Sequence, residues 1–156
     1  KSESKKLFIN GVKVRFIGDR NRLDKSLIGS MNDLEVLTNK NDNLHLTIAL
    51  NYGGRDEILR ATKKISEKVR SGELELDDIS IELFSNNLDT FDLPDPDLVI
   101  RTSGEKRTSN FLPWQCAYSE YVFEESNWPD FNKKIYEEIL KEFKSRERRY
   151  GAVLGQ

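Results

Sequence analysis

The chain has 156 residues, long enough for one domain (1–156) with a real buried core, and a formal charge of −2 that argues against a general nucleic-acid binder, which carries a basic excess. Its single cysteine, Cys116, excludes an internal disulfide and a cysteine-based metal site and points to a reduced, cytoplasmic setting. No apolar run approaches a membrane span, and the first residues, KSESKK, lack the apolar core of a signal peptide.

Taken in chain order, residues 1–6 are polar and are expected to be flexible. Val12–Ile17 alternates apolar with basic and stops at Gly18-Asp19, which reads as a strand with one wet face. Leu23, Leu27, Met31 and Leu34 recur at helical spacing and predict a helix from about Arg22 to Leu37, followed by a turn over Asn39–Asn43. Leu44–Tyr52 is the strongest strand signal, with Leu44, Leu46, Ile48 and Leu50 on one face. His45, the lone histidine, lies on the other face, and nothing nearby completes a triad. Asn51-Tyr52-Gly53-Gly54-Arg55 then turns into a helix predicted over Asp56–Ser71. A shorter helix is expected over Leu76–Leu88 with Asp77 as its N-cap, and a turn over Asp92–Pro96.

Leu98-Val99-Ile100 has the length and β-branched content of a buried strand, and it ends on Arg101. From Thr102 to Ser109 the chain carries Lys106, Arg107, four hydroxyls and a single acid, Glu105. Ligands of open parallel sheets bind outside the carboxyl ends of the strands, which is where this loop sits. Two guanidiniums grip oxyanions through paired N–H donors, and the hydroxyls fill the remaining lone pairs, so a ligand with several phosphate oxygens fits. Composition alone favours a solvated basic turn over such a site.

Beyond the loop, Asn110–Tyr118 is expected to be a helix capped by Ser109, and Tyr121–Phe123 a short strand with Glu120 at its mouth. A last helix is predicted over Asp130–Arg149, with Phe131, Ile135, Ile139 and Phe143 on one stripe and a basic end at Arg146, Arg148 and Arg149. The order of elements gives an α/β fold, a mostly parallel central sheet flanked by helices.

The run RTSGEKRTSNFLPWQCAYSEYVF, with NYGGRDEI at 51–58 and RERRYG at 146–151, resembles the cis-prenyltransferases, of which bacterial undecaprenyl diphosphate synthase is the nearest type. The resemblance implies elongation of an allylic diphosphate, such as farnesyl diphosphate, by isopentenyl diphosphate to give a polyprenyl diphosphate lipid carrier for cell-wall precursors. It implies that Arg101, Arg107 and Ser109 hold isopentenyl diphosphate and that Glu120 is associated with Mg²⁺. It also implies that Arg149 and Gly151 belong to a tail reaching the partner subunit's site in a homodimer. NYGGR would shape the site floor, and Leu44, Leu46, Ile48 and Leu50 are candidates for the apolar tunnel that sets product length. Peripheral membrane contact through the lipid product is compatible with this reading.

One departure is large. The family's Asp-Gly-Asn-Gly-Arg-type block, which carries the catalytic aspartate and the allylic diphosphate site, is absent, as is its Phe-Ser-x-Glu-Asn-Trp-type block. The expectation is therefore a C-terminal two-thirds of the catalytic domain, inactive alone, with its catalytic residue unknown. A non-catalytic partner subunit of a heteromeric cis-prenyltransferase and a generic α/β phosphate-binding module are the rival readings.

Overall fold

The computed structural model describes residues 2–146. The chain forms two compact units, one within residues 1–93 and the other within residues 94–156.

The first unit opens with α1 (Ser2–Ile9), β1 (Val12–Ile17) and α2 (Lys25–Thr38). Helix α1 corrects the expectation of a flexible start. Glu3 and Lys6 pair across one turn at 2.8 Å, and the helix packs on β1 and α2. Asp24, whose side chain accepts from Ser26 N, fixes the start of α2 three residues later than its apolar spacing suggests. A 3₁₀ turn over Arg20–Arg22 fills the gap. Strand β2 (Leu44–Ala49) runs parallel to β1, in register from Val12↔Leu44 to Ile17↔Ala49. The far edge of β1 is closed by side chains of α2, since Val14 N donates to Thr38 Oγ1 at 3.0 Å and Phe16 N to Glu35 Oε1 at 2.8 Å.

Val12, Val14, Ile17 and Met31 are buried, whereas Leu44, Leu46 and Ile48 are 59%, 36% and 36% exposed. The apolar face of β2 is thus real, but within this unit it is open rather than packed. Helix α3 (Gly54–Arg70) follows, burying Ala61 and Ile65. The helix predicted over Leu76–Leu88 is shorter: a 3₁₀ turn at Leu76–Asp78 precedes α4 (Ile81–Ser85). Its cap is Ser80, whose Oγ accepts from Leu83 N, rather than Asp77.

The second unit is built on β3 (Leu98–Arg101) and β4 (Glu120–Phe123), parallel and in register from Leu98↔Glu120 to Arg101↔Phe123. Backbone bonds Glu120 N to Asp97 O (2.9 Å) and Glu124 N to Arg101 O (2.7 Å) lengthen the ladder at both ends. The helix expected over Asn110–Tyr118 is a series of turns instead. Ser109, Asn110 and Leu112 have φ of 50°, 65° and 45°, outside the right-handed helical region, and Pro113 disfavours a helical residue before it. The last helix, α5 (Lys133–Ser145), begins where Asn132 accepts from Lys134 N and Ile135 N, after a turn at Trp128–Asp130. It ends where Arg146 turns extended, and Ile139 of its apolar stripe is buried. Both strand pairs are parallel and helices accompany each, an α/β arrangement.

Candidate active site

The loop after β3 is anchored at its base. Ser103 and Gly104 take positive φ (68° and 63°), and their amides donate to Ser126 O (2.8 Å) and Glu124 O (2.9 Å) beyond β4. The positive φ of Gly104 is what favours glycine there, since a Cβ would meet only the movable end of the Glu125 side chain. The chain then rises over the carboxyl end of the ladder and encloses a hollow of about 340 Å³.

Two kinds of wall meet there. Arg101, Thr102, Ser103, Glu105, Arg107 and Thr108 supply the polar side. Val99, Ile100, Phe111, Tyr121 and Phe123 supply the apolar side, with the Tyr121 and Phe123 rings stacked at 6.0 Å between centroids. Burial pushes the Tyr121 hydroxyl above its ordinary pKa, with the Cys116 thiol as a further cause, so it stays a neutral donor at physiological pH. Arg101 is half-buried at the strand end and has no ion-pair partner among the described residues. Arg107 is exposed and its Nη1 pairs with Glu105 Oε2. The geometry can hold phosphate oxygens between two guanidiniums and lay a short hydrocarbon against the aromatic wall.

The structure therefore brings Arg101 and Arg107 to one hollow, but not every residue named from sequence. Ser109 follows Thr108 outside its lining. Glu120 begins β4 opposite Leu98, whereas Arg101 ends β3 opposite Phe123, so the two stand at opposite ends of the ladder. There Glu120 Oε2 accepts from Arg146 Nη1 at 3.0 Å, and Arg146 Nη2 donates to Glu142 Oε1 at 2.5 Å. Glu142 first and Glu120 second hold the Arg146 guanidinium above its ordinary pKa. Arg149 and Gly151 lie outside the described residues.

No three metal-ligating side chains converge among the described residues. Glu120 is the kind of hard oxygen ligand that Mg²⁺ takes, but a single carboxylate at the end of the ladder away from the hollow is not placed to share an ion with a phosphate bound there. To serve, it must exchange its bond to Arg146.

In the first unit the NYGGR block joins a buried polar network that sequence reading missed. Tyr52 Oη donates to Glu57 Oε2 (2.5 Å), Asp89 N donates to Glu57 Oε1 (2.7 Å), and Glu57 is 1% exposed. Arg60 forks onto both Asp89 oxygens at 2.8 Å, and Gly18 N donates to Asp89 Oδ2 at 3.1 Å. Burial raises the Asp89 pKa, but the Arg60 fork and the Gly18 amide outweigh it and hold it below the ordinary carboxylate value. The block thus fixes the carboxyl end of β1 to α3. His45 pairs with Asp42 at 2.8 Å on an exposed surface.

Residues 1–151 match the family model described as "Putative undecaprenyl diphosphate synthase". The chain belongs to this family, the cis-prenyltransferases. It is 49% identical over 144 residues to isoprenyl transferase from Brucella abortus, covering 92% of this chain and 57% of that protein. The structure of lavandulyl diphosphate synthase from Lavandula x intermedia, in complex with dimethylallyl diphosphate, superposes with a TM-score of 0.93 at 36% identity, over 96% of this chain and 65% of that one. A probable undecaprenyl diphosphate synthase from Campylobacter jejuni gives 0.82 at 39% identity, over 96% and 68%. This cis-prenyltransferase chain therefore spans less than two thirds of the length of the curated relatives it matches.

Proposed function

We propose that the hollow after β3 holds the diphosphate of isopentenyl diphosphate, and that the protein condenses this unit onto an allylic diphosphate such as farnesyl diphosphate, giving a polyprenyl diphosphate of the undecaprenyl type. The observation that carries this reading is the pair Arg101 and Arg107 on one hollow whose opposite wall is aromatic and aliphatic. At about 340 Å³ the hollow is at the small end of ligand pockets, a size for a short isoprenoid unit rather than a long chain. Family membership supports cis-prenyl chain elongation as the reaction class.

In that reaction the carbon–oxygen bond of the allylic diphosphate breaks, the isopentenyl double bond attacks the allylic carbon, and a proton is lost. The part of this chain is to receive the isopentenyl unit. The Arg101 and Arg107 guanidiniums clamp its diphosphate, the hydroxyls of Thr102, Ser103 and Thr108 are available for the remaining oxygens, and the aromatic wall orients the five-carbon end. Ser109, the next residue after Thr108, is assigned to the grip by the resemblance alone. A role for Glu120 with Mg²⁺ rests on the resemblance alone, since Glu120 stands at the other end of the ladder from the hollow and an ion held there would not reach a diphosphate between Arg101 and Arg107. Arg149, in the tail that ends at Gly151, would add a third cationic contact from a neighbouring copy, which makes a homodimer part of the proposal. A cytoplasmic enzyme touching a membrane through its lipid product completes it.

The test, on the full-length chain, is incorporation of radiolabelled isopentenyl diphosphate into butanol-extractable product, with and without farnesyl diphosphate. Incorporation that requires the allylic diphosphate and collapses in Arg101→Ala and Arg107→Ala is expected. Incorporation indifferent to both substitutions would overturn the assignment.

A further inference from the structure

Glu105 is the acid on the wall of the hollow, and it already occupies Arg107. Arg101, by contrast, faces the same space with no ion-pair partner among the described residues. The two cations are therefore not equivalent: Arg101 is open to an anion, and Arg107 is engaged by a carboxylate carried on the same anchored turn. A carboxylate and a phosphate oxygen are the same kind of acceptor for a guanidinium fork, and both compete for the same N–H donors.

We propose that Glu105 is a built-in competitor for the diphosphate, closing Arg107 while the site is empty and yielding it only to a ligand that reaches both arginines. This rests on the reading of the hollow as a diphosphate site and adds the residue that tunes it. Because the ligand-competent form is the one with Arg107 released, apparent affinity falls by the fraction of time the pair is closed. A single phosphate is satisfied by Arg101 alone, whereas a diphosphate spans to Arg107 and displaces the carboxylate. Glu105 thus lowers the affinity for a diphosphate without touching a ligand that Arg101 alone satisfies, and keeps the bound unit exchangeable between turnovers. The Glu105 and Arg107 side chains are 41% and 64% exposed, so the pair is water-screened and its effect is modest. A two- to five-fold change in affinity is expected, about 0.4–1 kcal/mol at about 1.4 kcal/mol per decade.

The experiment is calorimetric titration of inorganic pyrophosphate, and separately of isopentenyl diphosphate, into the protein and into Glu105→Gln, Glu105→Ala, Arg107→Gln and the Glu105→Gln/Arg107→Gln double variant. Thermal melts run alongside confirm folding. Glu105→Gln and Glu105→Ala should bind two- to five-fold tighter, and the gain should vanish when Arg107 is also Gln. If the protein binds both ligands and Arg107→Gln weakens them, yet neither Glu105 variant binds tighter, the competitor role is wrong and the diphosphate site stands. If neither ligand binds the unaltered protein, or the arginine substitution changes nothing, the diphosphate reading falls and the competitor falls with it.

Discussion

Arg101 and Phe123 close the β3–β4 ladder as register partners, so a cation and an aromatic ring stand side by side at the carboxyl end of a parallel strand pair. This pairing makes one hollow with a charged side and a greasy side. An isoprenoid diphosphate has the same two halves.

Arg101→Ala and Arg107→Ala should each leave the fold intact, because neither side chain makes a contact on which β3 or β4 depends. Charge-assisted bonds to a diphosphate contribute about 1.5–3 kcal/mol each, so the KM for isopentenyl diphosphate should rise about ten- to a hundred-fold. Steady-state kinetics beside a thermal melt separates the two effects. Unchanged kinetics in both variants would remove these residues from the site.

Much of this was legible before the structure, and the exceptions share a cause. The strand ending on Arg101 and the loop behind it could be read because apolar runs and cation spacing are local. The Asn110–Tyr118 turns could not, because the left-handed conformations of Ser109, Asn110 and Leu112 leave little trace in apolar spacing, though Pro113 was a hint. The separation of Glu120 from Arg101 also required the register, since loop length alone does not say which ends of two strands meet. The Glu57–Asp89–Arg60 network joins residues far apart in sequence, and sequence reading had no means to pair them.

If Glu120 holds Mg²⁺, as the resemblance implies, releasing it from Arg146 should make it a better metal ligand. Both side chains are about a third exposed (29% and 32%), so Arg146→Ala should cost less than about 1 kcal/mol of stability. Activity measured against Mg²⁺ concentration should then saturate at lower metal, whereas Glu120→Gln should shift the curve to higher metal. Two superimposable curves would take Glu120 out of the metal site.

Asp89 should leave a mark on acid stability. Its pKa is below the ordinary 3.8, so the unfolded chain takes up a proton first as pH falls, and the stabilisation from the Arg60 fork, fully present above about pH 4, is lost through the folded-state pKa below it. The melting temperature should drop as pH is lowered below about 4. Asp89→Asn, which removes the fork but leaves Arg60 its bond to Asp56 at 2.9 Å, should cost about 1.5–3 kcal/mol at pH 7 and flatten that part of the profile. A wild-type curve no steeper than that of Asp89→Asn would contradict the network.

Leu44 and Leu46 sit on an open face, so a bulky replacement there meets solvent within this unit rather than a packed core. Leu44→Trp and Leu46→Trp should change stability by no more than about 0.5 kcal/mol. If that face lines the product tunnel, chromatography of the polyprenyl products should show shorter chains. An unaltered distribution would exclude both positions from the lining.

The most direct measurement is a crystal structure of the protein with isopentenyl diphosphate. The diphosphate oxygens should lie within hydrogen-bond distance of the Arg101 and Arg107 guanidiniums, with the five-carbon tail against Tyr121 and Phe123. A ligand bound elsewhere, with both arginines still facing an empty hollow, would contradict the assignment of this site.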